Sequence, residues 1–173
     1  MMNHTHYNRF FIVLFLAFFA PSMVLSKPLD TSNMPEDLRA FQNLASNNTF
    51  VFNPRDLRWR AINDEGKVVR SGPGSGGRGY CPDIKRSCRT PSGTYNVVAK
   101  RGADCRSSRY PVGKGGAPMP YCMFFSKYYA IHGSPDVPHR NASHGCIRVK
   151  PQDAKWLHNN FIKIGTKVVV KPY

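Results

Sequence analysis

From about residue 49 onwards, short runs of alternating apolar and polar positions are separated by clusters of turn-forming residues. The runs with the composition of β-strands are residues 49–52, 58–62, 67–70, 93–99, 121–125, 128–131 and 167–170. Val, Ile, Thr, Tyr, Phe and Trp are frequent in them, and clusters such as Asn-Pro and Asn-Asp-Glu-Gly bound them. The pattern predicts a mainly β domain, a mixed β-sheet sandwich, in which residues 121–131 form a hairpin.

Two segments have the spacing of amphipathic helices. One begins at Pro151 with an acid in its first turn and is followed by Gly165. Its apolar stripe consists of Ala154, Leu157 and Phe161. The other lies in the polar segment 27–48 and has the stripe Leu38, Phe41 and Leu44. We therefore expect one or two short helices, and the helix in segment 27–48 would serve as a brace or lid.

A glycine-rich stretch occupies residues 71–80. No Lys-Ser/Thr follows it and no strand–loop–helix pattern surrounds it, so a phosphate-binding loop is not indicated. The composition predicts a flexible surface loop near a cleft.

The amino-terminal segment has the pattern of a secretory signal peptide. Arg9 precedes an apolar run at residues 10–20, which Pro21 interrupts. The residues before a cleavage point at Lys27 are small or of types that a signal-peptide cleavage site accepts. The run is shorter than the ~20 residues of a spanning helix, although an uncleaved anchor stays open. We expect a signal peptide at residues 1–26, an extension at 27–48 and one domain at 49–173.

The chain is strongly basic, with a formal charge of +15 and a pI near 10.0. Removal of residues 1–26 would take away one arginine and no acid, leaving +14. Such a charge is typical of proteins in anionic surroundings, and export argues against nucleic acid as the partner. A solvated surface and attraction to anionic envelope polymers both remain open.

Five cysteines in an exported chain indicate an oxidising compartment and an odd thiol. If Cys146 stays free, the other four can pair in three ways. The pairing of Cys81 with Cys88 and of Cys105 with Cys122 is favoured, because each bridge then closes a loop across a Gly/Pro-rich section. Each bridge would contribute ~2–4 kcal/mol.

The residues with the clearest chemistry lie at 129–148. A strand-like run ends at His132, and a short connection leads to Cys146. A thiol with its ordinary pKa of ~8.5 is mostly protonated at neutral pH, and a nearby imidazole can take its proton. Cys146 is therefore a candidate nucleophile and His132 its candidate base.

The turn before Cys146 reads Ser143-His144-Gly145. Gly145 permits a tight turn, in which the backbone N–H groups of His144, Gly145 and Cys146 could converge on one point. Such a point is an oxyanion hole, where each donor is typically worth ~3 kcal/mol in acyl transfer.

These residues resemble the L,D-transpeptidases of the YkuD type, whose signature is His-Gly-Ser/Thr, a spacer, and Ser-His-Gly-Cys with a polar residue two positions on. The resemblance extends from about residue 50 to 170 and includes a Thr-Pro-x-Gly-x-aromatic turn at residues 90–95. It implies the family's β fold, with Cys146 as nucleophile and His132 as general base. It further implies that the Gly133 carbonyl orients the imidazole and that His144 and Gly145 line the oxyanion hole. Ser143 belongs to the same oxyanion-hole and orientation group, and Arg148 would support the loop.

The resemblance also implies the reaction and its partners. The substrates would be peptidoglycan stem tetrapeptides, from which D-alanine leaves before a 3→3 crosslink forms, and carbapenems would acylate the thiol. Tethering of an envelope protein and L,D-carboxypeptidase activity stay open as outcomes. Tyr121 and Tyr129 are candidates for the substrate groove, which the loop 102–120 would cap. No cofactor or metal is expected, and the protein would be a monomer.

Localisation follows from the same residues. Asn141-Ala142-Ser143 fits the N-glycosylation pattern, and a glycan there would lie almost on the proposed thiol. A functional site at Cys146 thus implies a cell that does not glycosylate this pattern. For an exported protein, the bacterial periplasm or cell envelope is therefore the expected location.

Other interpretations compete for this site. A zinc site could use His132, His139, His144 and Cys146, but adjacent ligands in one tight turn are poorly spaced for a single metal ion. Cys146 could be a structural or buried thiol. The whole domain could also be a wall- or surface-binding module with a silent site.

Overall fold

The computed structural model describes Pro35 and residues 47–173. The predicted signal peptide and nearly all of the predicted extension, with its helix at Leu38, Phe41 and Leu44, lie outside the described residues. In the described part of the chain, none of the helices has the length and hydropathy of a membrane span.

The described residues form a curled, mixed β-sheet, which confirms the predicted mainly β fold. Its strands are β1 (Thr49–Asn53), β2 (Arg58–Ile62), β3 (Val68–Ser75), β4 (Gly93–Asn96), β5 (Ala99–Lys100), β6 (Met123–Phe124), β7 (Ala130–Gly133), β8 (Ile147–Val149) and β9 (Lys167–Val170). Their order across the sheet is β4-β9-β1-β2-β3-β8-β7-β6-β5. The pairs β1/β9 and β7/β8 are parallel, and the other neighbours are antiparallel.

Alternation of apolar and polar residues explains why these segments are strands. In β1, Phe50 and Phe52 are buried, and the residues on either side of them are only partly so. Trp59 of β2 lies opposite Phe52, and its ring stacks on Phe50 with the centroids 5.9 Å apart. Because side chains alternate between the two faces of a strand, these aromatic rings share one face and form the centre of the core.

The predicted strand at 93–99 is interrupted. Gly93–Asn96 pairs with β9, whereas Ala99–Lys100 pairs with β6 at the opposite edge of the sheet. Val97 lies between the two strands, is buried in the core, and exchanges backbone hydrogen bonds with the turn before β9. The chain therefore crosses from one edge to the other here. The predicted hairpin at 121–131 is confirmed as the antiparallel pair β6/β7, with shorter strands.

The prediction of a flexible surface loop at residues 71–80 is wrong. Residues up to Ser75 belong to β3, and Gly72, Gly74 and Gly77 are buried. A Cβ on Gly77 would lie 1.7 Å from the carbonyl oxygen of Cys88, and one on Gly72 would lie 2.9 Å from the Trp59 ring. The glycines are required for close packing of backbone against neighbouring groups, not for flexibility.

The predicted carboxy-terminal helix is present. Helix α1 (Pro151–Trp156) continues into a π-helical turn (Leu157–Phe161), and Ala154, Leu157 and Phe161 are buried as expected. α1 packs on β7. Asp153 in its first turn accepts a hydrogen bond from Arg70 of β3 at 2.7 Å, and the Arg70 guanidinium also lies over the Trp156 ring.

Both predicted disulfide pairings are confirmed. Cys81–Cys88 closes residues 81–88, the first disulfide loop, which contains a short 3-10 helix (Pro82–Ile84). Cys105–Cys122 closes residues 105–122, the second disulfide loop. Cys146 is the free cysteine of the described residues.

Candidate active site

Strand pairing brings His132 and Cys146 to one face of the sheet. His132 of β7 lies directly opposite Arg148 of β8 in a parallel register. Cys146 precedes Arg148 by two residues, so its side chain points to the same face. The Cys146 sulfur lies 4.0 Å from the carbonyl oxygen of Tyr128, in the segment that leads into β7. The two side chains are therefore diagonal neighbours, and both line one cavity.

The other face of the same two strands is part of the core. Ile131 and Ile147 lie opposite each other and are fully buried. Gly133 lies so close to α1 that a Cβ would be 3.2 Å from the Cβ of Ala154. Packing of α1 behind the strands thus fixes the backbone that carries the two candidate catalytic residues.

The His132 imidazole is buried and contacts the backbone of the next residue. Its exposed fraction is 6%, and Nδ1 lies 2.9 Å from the carbonyl oxygen of Gly133. A carbonyl oxygen only accepts hydrogen bonds, so Nδ1 carries the proton. In the neutral ring, Nε2 then keeps its lone pair and can accept a proton.

The environment keeps both candidate residues neutral near pH 7. Burial lowers the pKa of His132 to about 4; the Gly133 carbonyl opposes this and the positive charge of Arg148 adds to it. Burial raises the pKa of the Cys146 thiol, although the N–H of Ala130 and the charge of Arg148 partly offset the effect. The resting pair is a thiol beside an unprotonated imidazole, not a thiolate–imidazolium pair.

Residues 143–146 form a closed turn, called here the cysteine turn. The Ser143 hydroxyl donates to the carbonyl oxygen of Cys146 at 2.5 Å and accepts from the N–H of Gly145 at 3.0 Å. The backbone of Ser143 pairs with Gly76 and Arg78. One donor of the expected oxyanion hole, the Gly145 N–H, is therefore already directed at the Ser143 hydroxyl, and the expected set of three N–H groups is corrected accordingly.

Gly145 is needed for the shape of the turn. Its φ of +124° lies in a region that favours glycine. A Cβ at this position would lie 2.6 Å from Cε1 of Tyr129. Tyr129 therefore packs against the backbone of the cysteine turn.

Thr90 connects the cysteine turn to the end of β3. Its hydroxyl donates to the carbonyl oxygen of Gly145 at 2.8 Å and accepts from the N–H of Gly77 at 3.0 Å. Its side chain is fully buried, and its own N–H donates to the Tyr173 hydroxyl. The sequence had indicated only a turn motif at residues 90–95, and this supporting role was not predicted.

His144 makes contacts with both disulfide loops. Its Nε2 lies 2.8 Å from Oδ2 of Asp83 in the first loop, and its ring lies 4.4 Å from the Tyr110 ring of the second loop, centroid to centroid. Desolvation acts to raise the pKa of Asp83, but the hydrogen bond and charge of His144 outweigh it and the pKa is lowered. Sequence reasoning selected neither Asp83 nor Tyr110.

Arg148 projects from β8 beside His132. Its Nη1 donates to Oδ2 of Asp136 at 2.7 Å, and Asp136 in turn makes hydrogen bonds with Ser134. The guanidinium thus ties β8 to the loop that follows His132.

Two adjoining cavities open at these residues. The first, of about 320 Å³, is lined by His132, Ser143, His144, Cys146 and Arg148 together with residues of the second disulfide loop. The second, of about 470 Å³, includes Tyr128, Tyr129, His144 and residues 86–88. Tyr129 thus lines a cavity as expected, and Tyr128, which the sequence did not single out, lines both. Tyr121 lines neither of these two cavities, and its ring packs against His158 and the core.

The residues of the alternative zinc site do not form a ligand cluster in the part of the chain that the structure describes. The group with metal-ligand spacing there is Cys81, Cys88 and His144, with ligand atoms within 4.8 Å of one another. Both cysteines are joined in a disulfide, so neither offers a thiolate.

A family model and several solved structures match this chain. The family model of the YkuD L,D-transpeptidase catalytic domain matches residues 47–170. No curated protein matches the chain.

Solved structures have the same fold. An L,D-transpeptidase from Xylanimonas cellulosilytica is 29% identical, with a TM-score of 0.61 over 73% of this chain and 61% of that one. L,D-transpeptidase 3 from Mycobacterium tuberculosis, in complex with a faropenem-derived adduct, is 24% identical, with a TM-score of 0.59 over 73% and 61%. The L,D-transpeptidase LdtMt1, in complex with imipenem, is 20% identical, with a TM-score of 0.60 over 72% and 59%. The chain thus matches about 60% of the length of these structures.

Proposed function

Because the chain belongs to the family of L,D-transpeptidase catalytic domains, we propose that it is an exported cysteine acyltransferase that acts on peptidoglycan stem tetrapeptides. The observation that carries this proposal is the β7/β8 register. It puts a buried, unprotonated imidazole and a free thiol on one face of the sheet and at one cavity. This is the arrangement that a thiol nucleophile and its base require.

In the first step, the Cys146 sulfur attacks the carbonyl carbon of the third stem residue. Nε2 of His132 takes the thiol proton as the C–S bond forms, so no preformed thiolate is needed. The carbonyl π-electrons move to oxygen. The N–H groups of His144 and Cys146 are the donors that we assign to this oxyanion, because the Gly145 N–H is engaged by Ser143.

In the second step, the tetrahedral intermediate collapses and the C–N bond to the terminal D-alanine breaks. The imidazolium returns its proton to the departing amine, and a thioester remains on Cys146. The low pKa of His132 favours this return, because a weakly basic imidazole gives up its proton readily.

In the third step, an amine of a second stem attacks the thioester. His132 accepts the amine proton, a 3→3 crosslink forms, and the proton returns to the sulfur. If the amine belongs to an envelope protein, the product is a tethered protein; if water attacks, the reaction is that of an L,D-carboxypeptidase.

Gly133, Ser143 and Arg148 would support these steps without reacting. The Gly133 carbonyl fixes the imidazole tautomer, the Ser143 hydroxyl closes the cysteine turn, and Arg148 ties β8 to the loop after His132. We propose that carbapenems acylate Cys146 by the same attack, with opening of the β-lactam. The complexes of similar folds with imipenem and with a faropenem-derived adduct support this proposal.

The amino-terminal pattern supports export, with residues 1–26 as a signal peptide and the bacterial periplasm or envelope as the location. A monomer without a cofactor suffices for the steps above, since every group that they use comes from one chain.

The test is turnover of a disaccharide tetrapeptide followed by mass spectrometry. We expect release of D-alanine and a crosslinked dimer from the protein without residues 1–26, and neither from Cys146→Ala. D-alanine release without a dimer identifies hydrolysis. If protein with both disulfides formed releases no D-alanine, the proposed enzymatic function is contradicted. The alternative of a catalytically silent wall- or surface-binding module is then favoured.

A further inference from the structure

Among the described residues, those that line the cavity around Cys146 include several basic side chains and no acidic one. Its cations are Arg101, Arg106, Arg109, Lys127 and Arg148. The adjoining cavity adds Arg86 and shares Arg109, and its lining in the described part of the chain also contains no acidic residue. Together the two cavities, called here the basic groove, present six positive charges to whatever occupies them.

Most of these charges have no counter-ion among the described residues. Arg148 is paired with Asp136 at 2.7 Å, whereas the other five cations of the basic groove form no ion pair there. Arg106 donates to a backbone carbonyl, that of Gly116. Like charges gathered in a partly enclosed cleft attract anions, because the low-dielectric walls concentrate their field.

Two of the cations are held in place by an aromatic ring. The Arg109 guanidinium lies 4.8 Å and the Lys127 ammonium 5.3 Å from the centroid of the Tyr128 ring. Tyr128 lines both cavities, as do Arg109, Tyr110 and His144. Arg109 and Tyr128 therefore lie where the two cavities adjoin, so that a peptide bound in either cavity comes near this pair.

The stem peptide that we propose as the substrate has two chemical forms, one with free carboxylates and one with carboxamides, and this groove would distinguish them. Its acidic and diamino-acid residues carry carboxylates that some cells convert to carboxamides. A carboxylate accepts charge-assisted, bidentate hydrogen bonds from a guanidinium, whereas a carboxamide has one acceptor oxygen and no net charge.

Resting on the proposed function, we propose that the basic groove selects donor stems with free carboxylates over amidated stems. Arg109 and Lys127 are the specificity-determining residues. They line the cavity around Cys146, contact the Tyr128 ring, and form no ion pair among the residues that the structure describes.

The experiment compares two tetrapeptides containing meso-diaminopimelate, one with free carboxylates and one with both side carboxylates amidated. We expect kcat/KM for D-alanine release to be at least ~10-fold higher for the free acid. The double variant Arg109→Gln/Lys127→Gln should bring the ratio close to one by slowing the free acid alone. Lys67→Gln, on an exposed hairpin away from the groove, is the matched control and should keep the wild-type ratio.

Added NaCl should reduce the ratio of kcat/KM for the two peptides, because salt screens the attraction between the carboxylates and the basic groove.

Binding to Cys146→Ala, measured by calorimetry, makes the test independent of turnover. Tighter binding of the free acid than of the amidated peptide, reduced by Arg109→Gln/Lys127→Gln, supports the inference. Equal binding or equal kcat/KM for the two peptides overturns it and leaves the proposed function intact. If neither peptide is turned over, the proposed function fails, and the binding ratio alone decides the inference.

Discussion

Nε2 of His144 lies 2.8 Å from Oδ2 of Asp83, so the cysteine turn is attached to the first disulfide loop. Tyr110 of the second disulfide loop covers the same imidazole from one side. Two loops, each closed by its own disulfide, thus meet at the residue that lies two positions before Cys146. The disulfides contribute to the site by holding these contacts as well as by restricting the unfolded chain.

The contact predicts a modest effect of Asp83 on acylation. Asp83→Asn keeps a hydrogen-bond acceptor but removes the charge that favours the attachment of His144, and Asp83 is exposed to solvent. We expect acylation of Cys146 to slow by about 2- to 5-fold, as for a solvent-screened pair. Asp56→Asn, another exposed acid near a basic side chain, is the control and should have no effect. An unchanged rate in Asp83→Asn would show that the contact does not position the turn.

Gly145→Ala should strongly slow acylation of Cys146, because the substitution displaces the cysteine turn. Its Cβ would lie 2.6 Å from the Tyr129 ring, and its φ of +124° would be strained. We expect acylation to fall by at least ~10²-fold, as a misplaced reacting group does. Gly66→Ala is a matched control, since it also has positive φ but meets nothing within 4 Å. Gly66→Ala should lose ~1–2 kcal/mol of stability and keep its acylation rate.

Thr90→Val should destabilise the fold and slow acylation. The substitution preserves the shape but leaves the buried Gly77 N–H and Gly145 carbonyl without their hydroxyl partner. Each of these two buried polar groups costs ~1–3 kcal/mol when it loses its partner, so we expect a loss of ~2–6 kcal/mol in urea denaturation. Thr94→Val, at an exposed position of β4, should change stability by less than ~0.5 kcal/mol. Equal effects of the two substitutions would contradict the role of Thr90.

Burial of His132 predicts that stability falls in acid. Its pKa is about 4 in the folded protein and ~6.5 when unfolded, so the unfolded chain binds the proton more tightly. The contribution of neutral His132 to the free energy of unfolding should be complete above pH 6.5. It should decrease by ~3 kcal/mol as the pH falls to 4 and change little at still lower pH. His132→Gln should lack this component in urea denaturation at a series of pH values. The same decrease in His132→Gln would assign it to other groups.

Several strands could be predicted, and His132 and Cys146 could be selected as candidates, because the information is local, whereas β8 was not predicted as a strand. Alternation marks β1, β2 and β9 within a few residues, and the motif residues around His132 and Cys146 are contiguous in sequence. Thr90 was not predictable as a support, because its partner Gly145 is 55 residues away and a threonine in a turn motif indicates only a turn. The pairing of Asp83 with His144 is similarly distant, at 61 residues.

The glycine-rich stretch shows a second limit of sequence reasoning. Glycine is used both where a chain adopts conformations that other residues avoid and where backbone must approach another group closely. At Gly77 the second reason applies, since the Cys88 carbonyl occupies the place of a Cβ. Only the three-dimensional arrangement distinguishes the two.

The most direct measurement is intact-mass spectrometry of the oxidised protein after incubation with imipenem, followed by peptide mapping. We predict one adduct per chain on Cys146, none on Cys146→Ala, and at least ~10²-fold slower formation in His132→Gln. The absence of an adduct from protein with both disulfides formed, or an adduct on another residue, would contradict Cys146 as the nucleophile.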